Sequence, residues 1–232
     1  MDSLARRLGA GLQTADSAGD GPVAVRHWFN PNLVYQWFVV PSLAGILAML
    51  TSLVVTALSI ARERELGTFD QLLVSPTTPM EIIVAKTVPG LVIGWTLGMF
   101  MVAAGALVFG VPFTGSLALL VPTLLLFILS NVGIGLMISS VCATQQQAIL
   151  GTFAAAVPMV LMSGFATPVE NMPPPLQWLA EAIPLKHFLS IVQGTFLKAW
   201  PVADVAAAAW PMAVTGIVTL GVATVLVRSR LQ

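Results

Sequence analysis

Residues 61–86 read ARERELGTFDQLLVSPTTPMEIIVAK, the one strongly charged stretch between long apolar runs. Arg62, Glu63, Arg64 and Glu65 alternate in sign at its start. Leu66, Phe69, Leu72 and Leu73 follow at spacings of three and four, the pattern of one helical face. Ser75-Pro76 predicts the end of that helix, because the residue before a proline is pushed out of the α region. Thr78-Pro79-Met80-Glu81 then has the form of a capping box with proline at the first helical position, so a second helix starts there. The stretch is expected to be a short amphipathic helix, residues 61–76, followed by a capped restart. Two readings remain open for it. It is either a solvated charged loop or a surface on which a water-soluble partner can push.

The rest of the composition gives that stretch its setting. Of 232 residues, 57% are hydrophobic and 9% are charged, and the mean hydropathy is +0.91. Soluble domains carry about 25% charged residues, so the chain reads as an integral membrane protein. Ten Lys and Arg balance ten Asp and Glu, which gives no charge argument for a nucleic-acid or acidic partner. The single cysteine, Cys142, excludes an internal disulfide and a cysteine metal cluster. Residues 1–27 are a polar lead-in, expected to be poorly ordered. They lack the apolar core of a cleavable signal, so the first apolar run is expected to act as an uncleaved insertion signal.

Five apolar runs in residues 28–230 are long enough for the roughly 20 residues of a spanning helix. They cover about 37–60, 87–109, 116–141, 147–167 and 205–227. Residues 79–86 are expected to form an aqueous start to the second, which Pro89 should kink for want of an amide proton. Residues 168–200 differ in kind. Pro173, Pro174 and Pro175 forbid a helix interior there, and two short helical patterns follow, joined at Pro184. These are expected to be an outer re-entrant hairpin, with Glu170, Glu181, Lys186 and His187 at the water edge. The predicted fold class is thus all-α: five transmembrane helices, a cytosolic helix at 61–76 and an outer helical hairpin. Near the span ends, Arg62, Arg64, Lys86, Arg228 and Arg230 fall on one side, against Arg26, Lys186 and Lys198 on the other. The positive-inside rule therefore puts the 61–86 loop and the C-terminus in the cytosol and the N-terminus outside.

No catalytic or metal-binding constellation is evident. His27 and His187 are unpaired in sequence, and there is no G-x-x-x-x-G-K-[ST] phosphate loop, so ATP is not expected to bind this chain by that route. None of the five runs carries an ionisable residue in its core, where ion-coupled transporters usually place the groups that carry coupled charge. Any driving force is therefore expected from another subunit, and neutral walls favour an apolar or amphipathic substrate. Gly90, Gly94 and Gly98 recur every four residues, a spacing that lets another helix approach closely. Intramolecular packing is the first expectation for them, a dimer seam the second. A non-transporting membrane scaffold and a membrane-embedded enzyme, with Glu170, Glu181 and His187 as its only candidate groups, are the other function classes.

The stretch RERELGTFDQLLVSPTTPMEIIVAK also resembles the coupling-helix signature of the type-2 family of ATP-binding-cassette (ABC) exporter permeases. Arg62, Glu63, Glu65, Gly67, Thr68, Leu72, Ser75, Pro76, Glu81 and Lys86 stand at the places of that signature. FNPNLVYQWFVVP is similar to the family's entry into its second span, and SGFATPVENMPPPLQWLAEAIPLKHFL to its outer re-entrant hairpin. The resemblance implies a permease subunit that forms a pathway with a second permease copy or paralogue. It also implies a cytosolic ABC ATPase, which would carry ATP and Mg and drive the spans through the coupling helix. Arg62, Glu63, Glu65, Gly67, Thr68, Phe69, Leu72, Ser75 and Pro76 are then the expected ATPase-coupling residues. Members of this branch usually begin with a further span and a large extracytoplasmic domain. Neither is present in these residues, so a shortened or split permease is the expectation.

Overall fold

A computed structural model describes residues 34–68 and 78–230. The expected lead-in and residues 69–77, with Phe69, Leu72, Ser75 and Pro76, lie outside the described residues. The helices belong to one contact unit, Tyr35–Gln232. It contains seven α-helices and a 3-10 turn, and no strand among the described residues.

Helix α1, Gln36–Glu65, is the centre of the packing. Ala44, Ala48, Met49, Leu53, Ala57 and Ala61 are wholly buried along it. It contacts α2 (Pro79–Leu107), α3 (Leu117–Val141), α4 (Gln145–Met162) and α6 (Pro184–Lys198). Small residues make this crowding feasible. Gly94 faces Ser52, and an added Cβ would sit 2.9 Å from the Ser52 Cβ. Gly98 faces Leu124 and Ala48 at 3.0 and 3.2 Å on the same test, and Gly90 meets Thr56. Ala48, Ser52 and Thr56 thus run against Gly98, Gly94 and Gly90, an antiparallel seam within the chain that larger side chains would force apart.

The seam between α3 and α7 (Val202–Arg230) uses hydrogen bonds as well as close contact. Ser130 Oγ donates to the Met212 carbonyl at 2.7 Å, and Thr219 Oγ1 donates to the Ser130 carbonyl at 3.3 Å. Ser139 Oγ accepts from the backbone N–H groups of Ile60 and Ala61, at 3.0 and 3.1 Å, tying α3 to α1. The buried Asn131 bonds within its own helix, its Nδ2 donating to the Phe127 carbonyl at 2.8 Å.

Several boundaries differ from the sequence reading. The first span and the charged start of the expected 61–76 helix are one continuous helix through Glu65. Nothing in SIARERE interrupts an α-helix, so the change of composition at Ala61 does not break it. The break comes at Gly67, in the left-handed region with φ 69°. There the Thr68 and Gly67 N–H groups donate to Glu63 and Arg64 carbonyls, at 3.0 and 3.1 Å, the paired bonds of a Schellman cap. Residues 79–86 are, as expected, the start of the second span's helix. Its capping box is formed: Thr78 N–H donates to Glu81 Oε2 at 2.7 Å, and Glu81 N–H to Thr78 Oγ1 at 3.4 Å.

Among the described residues, four helices are long and apolar enough to cross a membrane: Gln36–Glu65, Met80–Leu107, Leu117–Val141 and Val202–Val227. The expected run at 147–167 becomes α4, 18 residues that open with three glutamines and end at Met162, before Gly164 at φ 90°. The expected outer hairpin contains the 3-10 turn Val169–Asn171, α5 (Pro174–Glu181) and α6. The three prolines serve as cap and first turn of α5, where a missing amide proton costs nothing. His187, expected at the water edge, is instead buried, its Nε2 2.8 Å from the Glu181 carbonyl oxygen. The amphipathic pattern of α6 turns Leu185, Phe188, Ile191, Val192 and Phe196 into the core, and His187 goes in with them.

Candidate functional site at the charged end of the first helix

The contacts above give the bundle two ends. Glu65, Pro79, Val141 and Gln145 share one, where α1 and α3 finish and α2 and α4 begin. Gln36, Phe109, Thr114 and Phe196 share the other, linked by the bonds Gln36 Nε2 to Phe109 O at 3.3 Å and Thr114 Oγ1 to Phe196 O at 2.9 Å.

At the first end, the last turn of α1 engages its neighbours residue by residue. Glu63 forms an ion pair with Lys86, on the second turn of α2, and both side chains are largely shielded. Arg64 Nη1 donates to the Ser140 and Cys142 carbonyls at 2.7 and 3.1 Å. Glu65 Oε2 accepts the Gln145 N–H at 2.7 Å. Arg62 is exposed.

The signs of these contacts follow from helix polarity. A helix C-terminus presents unpaired carbonyls and a partial negative charge, an N-terminus unpaired N–H groups and a partial positive charge. α3 ends and α4 begins within the tight turn Cys142–Thr144. Arg64 lies on the carbonyl end and Glu65 on the N–H end, so two adjacent residues of opposite charge match the two helix termini that meet there. Gln147 completes the turn: its N–H donates to Thr144 Oγ1 at 3.3 Å, and its Oε1 accepts from the Ala143 N–H at 3.0 Å. One turn of α1 is therefore joined to the start of α2, the end of α3 and the start of α4.

Of the expected coupling residues, Glu63 and Glu65 are thus engaged inside the chain. Gly67 and Thr68 form the cap that ends α1. The sequence reading did not single out Arg64 as a site residue. Its partners are backbone carbonyls of residues 76 and 78 positions away, which no side-chain pattern announces. Lys86 was visible in the charge count, but its pairing with Glu63 was not.

The comparisons with known proteins agree on one family. The ABC-2 type transporter model matches residues 23–197. The chain is 42% identical over 221 residues to "Probable multidrug ABC transporter permease YbhR" of Escherichia coli K12, covering 95% of this chain and 60% of that protein. It is 33% identical to "Probable multidrug ABC transporter permease YbhS" of the same organism, over 75% of this chain and 47% of that protein. It is 32% identical to "Inner membrane transport permease YhhJ", over 73% of this chain and 46% of that protein. The chain spans about half to three fifths of the length of these relatives. No solved structure matches it. The described residues, a helical bundle with four helices fit to cross a membrane, and this family match over residues 23–197 place the chain in the ABC-2 type transporter family of multi-pass membrane permeases.

Proposed function

We propose that the chain is the membrane-spanning permease subunit of an ATP-driven exporter, moved by a separate cytosolic ATPase through residues 61–76. The observation that carries this reading is the junction at the end of α1. Glu63, Arg64 and Glu65 tie that turn to α2, to α3 and to α4. A partner that displaces the segment after Gly67 moves four helices together. In this reading ATP and Mg reside on the partner, and Phe69 and Leu72 supply the apolar anchors that the partner grips.

The remaining details belong to the same proposal. α4 serves as a fifth span, since 18 residues at 1.5 Å rise extend about 27 Å, close to the roughly 30 Å hydrocarbon core. Its amphipathic start, with the three glutamines, lies in the cytosolic interface. The end with Arg62, Arg64 and Lys86 faces the cytosol, together with the C-terminus, and the Gln36 end faces outward. Two copies, or this chain and a paralogue, enclose the pathway. The spans offer neutral walls suited to an apolar or amphipathic substrate, in line with the word "multidrug" in the names of two relatives.

Co-purification tests the assignment. The full chain, extracted in mild detergent, should bring down an ATPase bearing a Walker phosphate loop. Charge reversal Glu65→Lys and truncation Phe69→Ala should each reduce that recovery and uncouple export while membrane insertion persists. Undiminished recovery and export in both variants would overturn the coupling role, and absence of any ATPase would favour a scaffold instead.

A further inference from the structure

The end of the bundle opposite Glu65 holds a cleft of about 480 Å³ between α1, the turn after α4 and α6. Small-molecule sites run from about 300 to 1,000 Å³. Its apolar wall carries the rings of Phe38 and Phe165, stacked 6.0 Å apart at 8°. Ser163, Ser190 and Gln193 contribute neutral polar groups. Gln193 is fixed by its amide, which donates to Ser42 Oγ at 3.0 Å.

Two charged residues border the cleft, Glu170 and Lys186. Lys186 is neutralised by an ion pair with Glu181. The exposed carboxylate of Glu170 has no ion pair among the described residues, although its backbone carbonyl accepts from Gln177 Nε2 at 3.2 Å. The uncompensated charge of the cleft is therefore negative, beside aromatic faces that also attract positive charge.

We propose that this cleft binds amphipathic organic cations, the charged centre near Glu170 and the apolar body against Phe38 and Phe165. Binding stands on the cleft itself. Only the further step, that the bound cation is on its way out of the cell, rests on the exporter reading.

The test uses two probe ions of nearly the same shape and opposite charge, tetraphenylphosphonium and tetraphenylborate. Each is titrated onto the full chain in lipid nanodiscs by equilibrium dialysis, with binding to empty nanodiscs subtracted. Saturable binding of the phosphonium is expected, with the borate roughly tenfold weaker, as one uncompensated charge at short range implies. Glu170→Gln should weaken the phosphonium about fivefold and narrow the gap between the ions, and Glu170→Lys should turn the preference toward the borate. Phe165→Leu should weaken both ions, the phosphonium about threefold and the borate less, because the lost ring face also attracts positive charge. Ser190→Trp, at an exposed position, should fill the cleft and abolish binding of both. Equal affinity for the two ions, or phosphonium binding unchanged in both Glu170→Gln and Ser190→Trp, would overturn the proposal. Because no ATPase or nucleotide is present, failure here leaves the coupling assignment standing, and failure of co-purification leaves this site standing.

Discussion

At one end of the bundle, α1 is held by Glu63, Arg64 and Glu65, which reach an ammonium, two carbonyls and a backbone N–H on three other helices. Toward the other end, the neighbouring helices are held by α6, whose wholly buried Phe188 stacks on Phe127 in the middle of α3 at 4.3 Å. The first set of contacts is directional and few in number. The second is apolar, non-directional and broad. Directional bonds between helix ends let one element carry another when it shifts, whereas an apolar plug resists separation without specifying what moves with what. The contrast predicts that stability and coupling reside at opposite ends of the molecule.

The largest effect on stability is expected at the apolar end. Phe188→Ala should lower it by about 3–5 kcal/mol, the range for emptying a packed aromatic site, read as an earlier thermal transition in detergent. Its recovery of the ATPase, per folded molecule, should be unchanged. A loss of ATPase binding greater than that of the charged-end variants would break the contrast. Next comes Arg64→Ala, which strips two carbonyls at the end of α3 of a charged donor. About 1.5–3 kcal/mol is expected, with export falling further than stability. Equal losses in both measurements would mean that Arg64 only holds the fold together.

Gly67→Ala should cost about 1 kcal/mol, because Gly67 sits at φ 69° where a Cβ is disfavoured. The expected readout is a modest thermal shift with earlier proteolysis after residue 65, and no shift would show that the turn relaxes. The smallest effect is expected from Glu65→Gln, which keeps an acceptor for the Gln145 N–H and removes the charge at the start of α4. A few tenths to about 1 kcal/mol should be lost, shrinking with added salt. Salt-independent loss would point to the hydrogen bond alone.

Particular residues show how far the sequence could be read. Thr78-Pro79-Met80-Glu81 announced a capped helix start and forms one, because a capping box is satisfied within four residues. In sequence, the proline run at 173–175 reads only as excluding a helix interior, whereas Pro174 and Pro175 form the first turn of α5, which starts two residues before the helical pattern expected at Leu176. The end of α1 was misplaced because charge composition was taken as a break, while the backbone stops only where Gly67 turns left-handed. His187 was misplaced because its own polarity was weighed without the amphipathic face of α6 that carries it inward.

By itself, the sequence determined a helical membrane protein, the capped restart at Thr78, the small-residue ridge Gly90, Gly94 and Gly98, and a charged turn beginning at Arg62. Each of these depends on hydropathy or on contacts within one turn of helix. Tertiary structure alone decided that the ridge lies against Ala48, Ser52 and Thr56, and that Arg64 and Glu65 close on the termini of α3 and α4. Those partners are mostly backbone atoms and small side chains from distant segments. They acquire a direction, and with it a preference for one sign of charge, only when the helices have packed.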